Sequence, residues 1–291
     1  MNKKGHNFKS CGIIGLGFVG LAIRNTLEKE ISVETFDIEI KSTCKTLEEI
    51  NNRCEVIFLC LPTPMNEDGN CNFTILEKIV SDINNLQEVK KNQKYIIIKS
   101  TIPVGTSSYL QSRYTNISII FNPEFLTEAN SYNDFANQDR IILGGDKNNT
   151  KLLKCFYRDF FPSIPIMLTT FETAELAKYL TNTFLATKVS FANEIYDFCQ
   201  TVSVDYSELI EIACHDSRLS NSHWQVPGPD GARGYGGSCF PKDIGSLINQ
   251  FKDKNLKSYI LNASYDRNNE LDRTNKDWKK LKGRSVVKKS V

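Results

Sequence analysis

Short runs of β-branched and aromatic residues recur through roughly the first 145 positions, separated by segments of helix or loop length. Phe8 to Ile14, Val33 to Phe36, Val56 to Leu61, Tyr95 to Lys99, Ile117 to Phe121 and Arg140 to Leu143 are expected as strands, with Phe18 to Leu27 as a helix. Near-continuous apolar strands spaced this way predict an α/β unit, a buried, doubly wound parallel sheet with helices on both faces. From Thr169 the texture changes. Phe171 to Gln200 carries helical periodicity without Gly or Pro, and Ala174, Ala177, Leu180, Phe184 and Phe191 mark much of one apolar stripe. Further helices are expected over Tyr206 to Cys214 and from about Pro241 to Phe251, with a glycine-rich loop, Pro227 to Gly237, between them. The pattern divides the chain into residues 1–170, an all-helical stretch over 171–275, and a basic tail over 276–291.

Gly15-Leu16-Gly17-Phe18-Val19-Gly20 follows the first expected strand and opens the first expected helix. In such a turn the first glycine permits the tight bend, the second lets backbone approach a pyrophosphate, and the third packs helix on strand. The helix N-terminus then offers unpaired N–H groups to phosphate. Asp37, 17 residues past Gly20, ends the second expected strand. A carboxylate there accepts hydrogen bonds from ribose hydroxyls and repels a 2′-phosphate, which favours NAD over NADP. The region 1–170 therefore reads as a Rossmann-like NAD-binding domain. Leu61-Pro62-Thr63-Pro64 and Ser100 to Thr106, including Thr101, leave the same sheet edge, where ligands of open α/β sheets bind. Pro62, Thr63 and Thr101 join Phe18 and Val19 as cofactor-lining candidates.

The second chemical signal is Gly234-Tyr235-Gly236-Gly237-Ser238-Cys239-Phe240-Pro241-Lys242-Asp243. Glycines let backbone come close to a ligand, and Pro241 suits the first turn of a helix. Cys239 is then expected just before a helix N-terminus with Lys242 nearby. Both features favour a thiolate, which a nucleophilic cysteine requires. Composition adds limits. Thirty-six basic against 34 acidic side chains leave a formal charge of +2, which gives no reason to expect a nucleic-acid partner. No apolar run approaches the roughly 18 residues that span a bilayer, and the polar Met1 to Lys9 does not resemble a signal peptide. Nine dispersed cysteines without CxxC spacing suggest neither a metal site nor a disulfide framework, and fit a reducing cytoplasm.

Taken in order, Gly15 to Gly20, Val56 to Pro64, Lys99 to Thr106, Asn122 to Glu128, Asp139 to Gly144, the Glu175 to Glu194 helix and Gly234 to Asp243 resemble the UDP-glucose/GDP-mannose dehydrogenase family across nearly the whole chain. Within it, Gly-Gly-Ser-Cys-Phe-Pro-Lys-Asp looks most like UDP-glucose 6-dehydrogenases. The resemblance implies NAD-dependent four-electron oxidation of a nucleotide sugar at C6, through a thiohemiacetal and thioester on Cys239. It implies that Lys178 and Asn182 face the reacting carbon and that Thr101, Glu124 and Asp243 organise water and proton transfer. It also puts Glu128 near the nicotinamide and Lys242 near the cofactor phosphates. Glu124, Phe125, Leu126, Lys178, Asn182, Tyr235, Gly236 and Gly237 are expected to line the substrate. Arg218 matches an arginine that reaches across a dimer interface, and the 171–200 helix matches the family's dimer core.

Two departures accompany the likeness. The stretch from Asp37 to Glu55 is short, and the chain stops after Asp277 to Arg284, where typical members begin a third, UDP-binding domain. A separate chain supplying that domain is one expectation. Alternatives to UDP-glucose oxidation are a GDP-mannose 6-dehydrogenase and an NAD or nucleotide-sugar binding module that has lost catalysis. A hydroxy-acid dehydrogenase of the same two-domain plan is more remote, because it has no use for the thiol loop.

Overall fold

The computed structural model describes Phe8 and residues 10–88 and 93–288. Lys9, within the first expected strand, and residues 289–291 of the expected tail lie outside the described residues, as does most of the polar N-terminal stretch. The chain divides into two compact units, Met1–Thr63 with Phe73–Lys178, and Pro64–Asn72 with Tyr179–Val291.

The first unit contains β1 (Ser10–Ile14), α1 (Phe18–Leu27), β2 (Ser32–Phe36), α2 (Leu47–Arg53), β3 (Val56–Leu59), α3 (Thr74–Glu88) and β4 (Tyr95–Ile98). It continues with α4 (Thr106–Arg113), β5 (Ser118–Phe121), α5 (Ser131–Ala136), β6 (Ile141–Gly145), α6 (Lys147–Phe160), β7 (Ile166–Thr169) and the start of α7 (Phe171–Val202). The strands form one sheet in the order β2-β1-β3-β4-β5-β6-β7. Alternate residues of the central strands serve opposite faces. Ile13, Phe58, Ile97 and Ile120 pack with Ile23 of α1 and Phe156 of α6, while Ile57, Ile96, Ile98 and Ile119 pack with Ile50 of α2, Val80 of α3 and Leu110 of α4. Helices on both faces explain why these strands read as unbroken apolar runs.

Two features depart from the expected all-parallel sheet. β6 runs antiparallel to β5, with Phe121 opposite Gly144. An additional strand, β7, pairs in parallel with β6 at the sheet edge. The crossover between β2 and β3 holds the short helix α2, capped by the Thr46 hydroxyl, which accepts from the Glu49 N–H.

The second unit is mostly helical: the remainder of α7, then α8 (Tyr206–Ala213), α9 (Phe240–Asp253) and α10 (Tyr259–Arg267). A π-turn over Asn268–Asp272 and a 3₁₀ turn over Asp277–Lys280 follow. The expected basic tail is part of this unit. Lys279 and Lys280 are exposed as solvated charges should be, but Trp278 is buried. The Ser285 carbonyl accepts from the Met65 N–H at 2.8 Å, and the Val287 N–H donates to the Met65 carbonyl at 3.0 Å. Those bonds, with Asn249 donating to the Asp68 carbonyl, tie Pro64–Asn72 into the second unit. The stripe on α7 is divided. Ala174 is buried, but Leu180, Phe184 and Phe191 are more than half exposed.

Candidate functional site

In the first unit the three glycines of the opening turn do different physical work. Gly15 has φ +92°, and a Cβ on it would stand 2.4 Å from the Cys60 carbonyl oxygen, because β1 and β3 are adjacent. A Cβ on Gly20 would meet the Gly15 carbonyl at 2.0 Å. Around Gly17 there is nothing within 4 Å, and as N-cap of α1 it makes no side-chain cap. Open space at the start of a helix is what a pyrophosphate requires. Phe18 and Val19 are half-buried behind this turn, with Val19 against the core.

Asp37 faces the same turn. One carboxylate oxygen accepts from the Leu16 N–H at 2.6 Å and the other from the N–H groups of Glu39 and Ile40. Burial opposes its charge, but those N–H groups outweigh burial and hold the carboxyl below its usual range. A carboxylate has about four acceptor positions, so room remains for a hydroxyl. The arrangement fits NAD.

The loops after β3 and β4 are stitched together. Ser100 Oγ accepts from the Leu61 N–H and donates to the Leu61 carbonyl, and Thr63 Oγ1 donates to the Thr101 carbonyl at 2.7 Å. Thr63 and Thr101 are therefore buried, while Pro62 and Glu128 are exposed. After β5, the Glu124 carboxylate takes the Leu126 N–H at 2.7 Å and pairs with Lys178 Nζ at 3.1 Å; both partners are buried. The Phe125 ring has two cations near it, Arg140 at 4.2 Å and Lys178 at 5.3 Å from its centroid.

Two buried groups had no counterpart among the sequence candidates. Lys99 Nζ donates to Asn122 Oδ1 at 2.9 Å, an oxygen shared with the Tyr157 hydroxyl. Burial pulls this amine down to about 8, against the attraction of Cys60 and Glu124. Glu175, one turn before Lys178 on α7, accepts from the N–H groups of Gly105 and Ser107 at 2.6 and 2.8 Å and so anchors the loop that carries Thr101. Its full burial pushes the carboxyl up to about 7, with the Ser107 and Gly105 contacts opposing. Each block lay in view in the sequence; nothing in a motif marks a side chain whose partner is distant along the chain.

In the second unit Cys239 is the N-cap of α9, half-buried, with Pro241 in the first turn and the Asp243 N–H donating to the Cys239 carbonyl at 2.9 Å. The Ser238 hydroxyl lies 3.7 Å from the sulfur. Asp243 is almost wholly buried between two partners. Asn182 Nδ2 donates to one oxygen and Lys242 Nζ to the other, each at 2.5 Å. Asn182 thus keeps one amide hydrogen free of Asp243. Lys242, expected near phosphates, is held as the counter-ion of Asp243. Burial opposes its charge, and Asp243, Cys71 and Cys239 together outweigh burial and raise it.

The glycine loop is shaped from inside the protein. A Cβ on Gly236 would stand 2.4 Å from Arg273 Cζ, whereas Gly237, at φ +73°, has nothing within 4 Å. Of the two expected substrate-lining glycines, Gly237 is the one with open space. Tyr235, also expected there, has its ring in a small core with Ala186 and Ile244, its hydroxyl on the Ser264 carbonyl, and both backbone groups on Asn268. Arg218 is exposed and paired with Asp216.

Two family models match the chain. Residues 39–161 match the NAD binding domain of the UDP-glucose/GDP-mannose dehydrogenase family, and residues 172–270 match its central domain. The chain belongs to this family. Curated relatives in Bacillus subtilis strain 168 include the putative UDP-glucose 6-dehydrogenase YtcA, 33% identical over 239 residues (79% of this chain, 52% of YtcA). The UDP-glucose 6-dehydrogenase TuaD is 30% identical over 261 residues, covering 87% of this chain and 52% of TuaD. This family member therefore spans about half the length of those relatives. A UDP-glucose dehydrogenase structure from the hyperthermophilic archaeon Pyrobaculum islandicum superposes with TM-score 0.81 at 25% identity, over 91% of this chain and 68% of that one. The match to the NAD binding domain falls almost wholly within the first unit.

Proposed function

We propose that the chain carries out the NAD-dependent, four-electron oxidation of the C6 alcohol of a nucleotide sugar, UDP-glucose to UDP-glucuronate, with Cys239 as the nucleophile. The observation that carries the reading is the setting of that thiol: a helix N-cap, half-exposed, four residues before a buried carboxylate held by Asn182 and Lys242. A cysteine kept only for packing needs none of this.

Gly17, the α1 N-terminus and Asp37 would hold NAD, two molecules of which, bound in succession, would supply the hydride acceptors for the two oxidations. The chain's own residues manage protons and charge. Lys178, an ammonium kept in place by Glu124, offers a donor to the C6 oxygen as its proton passes to water, and the remaining Asn182 amide hydrogen offers another. The Cys239 thiolate then forms a C–S bond to the aldehyde carbon, and the carbonyl electron pair moves to oxygen, which takes a proton. After the second oxidation the product is held as a thioester. Water adds to its carbonyl carbon, the C–S bond breaks, and the sulfur leaves as thiolate. One alcohol and one water thus yield one carboxylate, with two hydrides transferred. Holding the aldehyde covalently prevents its loss between the two oxidations.

The exposed Leu180, Phe184 and Phe191 on α7 support pairing with a second copy along this helix, since contiguous exposed apolar surface marks an interface. In the same reading Arg218, exposed and paired with Asp216, would exchange that partner for the substrate of the second copy. The dispersed free thiols and the lack, among described residues, of any helix long and apolar enough to cross a membrane are compatible with a cytoplasmic setting. NADH release from the purified chain, assayed in parallel with UDP-glucose, GDP-mannose and UDP-N-acetylmannosamine, tests the assignment. UDP-glucose is expected to give the highest kcat/KM. Saturable NAD binding without NADH from any of the three overturns it.

A further inference from the structure

The loop that leads to Cys239 contains left-handed glycines, Gly234 at φ +66° and Gly237 at +73°, and a chain so permissive must be fixed by something else. Asn268, wholly buried, does this from 33 residues away. Its Oδ1 accepts from the Tyr235 N–H at 2.8 Å and its Nδ2 donates to the Tyr235 carbonyl at 3.1 Å, as a neighbouring strand would. Next to it, the Arg273 guanidinium lies against Gly236. That guanidinium is itself immobile: it is buried and bonded to Asp277 at 2.8 and 2.7 Å and to Asp230, at the head of the same loop, at 2.6 Å.

The backbone explains how both residues reach one loop. Five residues along an α-helix are about 140° apart around the axis, which would point Arg273 away from Asn268. Here Asn268–Asp272 is a π-turn, closed by the Arg273 N–H donating to the Asn268 carbonyl at 2.8 Å, and the wider turn returns Arg273 to the same side. The clamp in turn dictates the glycines, because a Cβ on Gly234 would stand 2.3 Å from Asn268 Oδ1.

We propose that Asn268 and Arg273 are positioning residues for Cys239: the π-turn fixes the Tyr235–Gly236 backbone, three to four residues before the sulfur, and so sets where the thiol stands. The inference rests on the reading of Cys239 as nucleophile. A displacement of about 1 Å at a reacting group lowers turnover on the order of 100-fold.

The experiment uses the full chain and the variants Asn268→Ala, Asn268→Asp and Arg273→Lys. Far-UV circular dichroism checks folding, and NADH formation with UDP-glucose gives kcat and KM. The iodoacetamide alkylation rate of the Cys239 peptide against pH, mapped by mass spectrometry because eight other thiols are present, reads the thiol directly. Folded Asn268→Ala is expected to lose kcat roughly 100-fold with KM within about 3-fold, and to shift the alkylation profile. Asn268→Asp, which keeps the acceptor and loses the donor, recovers part of both. If Asn268→Ala does not fold, Arg273→Lys carries the test, since it keeps the charge between Asp230 and Asp277 and loses the planar face. A folded variant with wild-type turnover and a wild-type alkylation profile overturns the proposal. A wild-type chain that makes no NADH refutes the enzymatic reading instead, and the alkylation profiles still decide this one.

Discussion

The Glu124–Lys178 pair gives a sharp energetic prediction. Its atoms are 3.1 Å apart and its side chains only 8% and 3% exposed. At an effective dielectric of about 20, that separation corresponds to roughly 5 kcal/mol of attraction, much of it offset by desolvation. Lys178→Met leaves a buried carboxylate whose remaining hydrogen bond is from the Leu126 N–H, and should destabilise the first unit by about 3–5 kcal/mol. Glu124→Gln strands a buried ammonium over the Phe125 ring and should cost a similar amount. The double variant removes both charges and should return to within about 2 kcal/mol of wild type, because no buried charge is left without its counter-ion. Urea unfolding followed by far-UV circular dichroism measures all four proteins. Both tryptophans, Trp224 and Trp278, lie in the second unit, so their fluorescence would follow other chemistry. Additive losses in the double variant, or single losses under about 1 kcal/mol, would refute the picture of a dry, coupled pair.

Three further outcomes can be checked. Glu175 has a folded-state value raised by burial from 4.5 to about 7. Its protonated form is therefore favoured by folding, so the stability it contributes is full below about pH 4.5 and lost as pH rises through about 7, by up to about 3 kcal/mol. Melting temperatures from pH 4.5 to 8 should fall in wild type and stay flatter in Glu175→Gln; parallel curves would contradict this. Gly17→Ala should melt like wild type and lose NAD affinity by calorimetry, since the space around Gly17 is empty of protein, whereas Gly20→Ala, with its Cβ 2.0 Å from a carbonyl, should unfold about 1–3 kcal/mol more easily. Equal melting of the two would count against the assigned glycine roles. Leu180→Glu combined with Phe184→Glu should convert a dimer to a monomer in light scattering, and a wild-type chain that is already monomeric rejects that interface.

What could be read in advance follows from where each residue's information resides. Ile57, Ile97 and Ile120 are buried by helices on both faces, so their strands stand out as apolar runs. Strand direction leaves no trace in hydropathy, which is why the antiparallel β6 was expected as parallel. β7 was missed because it is a short edge strand between Pro165 and α7, with Met167 43% exposed. The placement of Cys239 just before a helix, with Asp243 in its first turn, was legible through the glycines, Pro241 and spacing. Asn268 was not: its role is a pair of bonds to a backbone 33 residues distant, and the polar stretch around it has no motif. The end of the chain misled for a similar reason. Lys279, Lys280 and Lys282 read as solvated and are exposed, but Trp278 and the bonds between Met65 and Ser285–Val287 anchor the backbone beneath them.

The account turns on whether sulfur carries the substrate between two oxidations, and the ratio of NADH formed to UDP-glucose consumed measures that directly. A value of two in the wild-type chain, with Cys239→Ser failing to complete turnover, is the predicted result. A value of one with free aldehyde in solution, or an unimpaired Cys239→Ser, would contradict it.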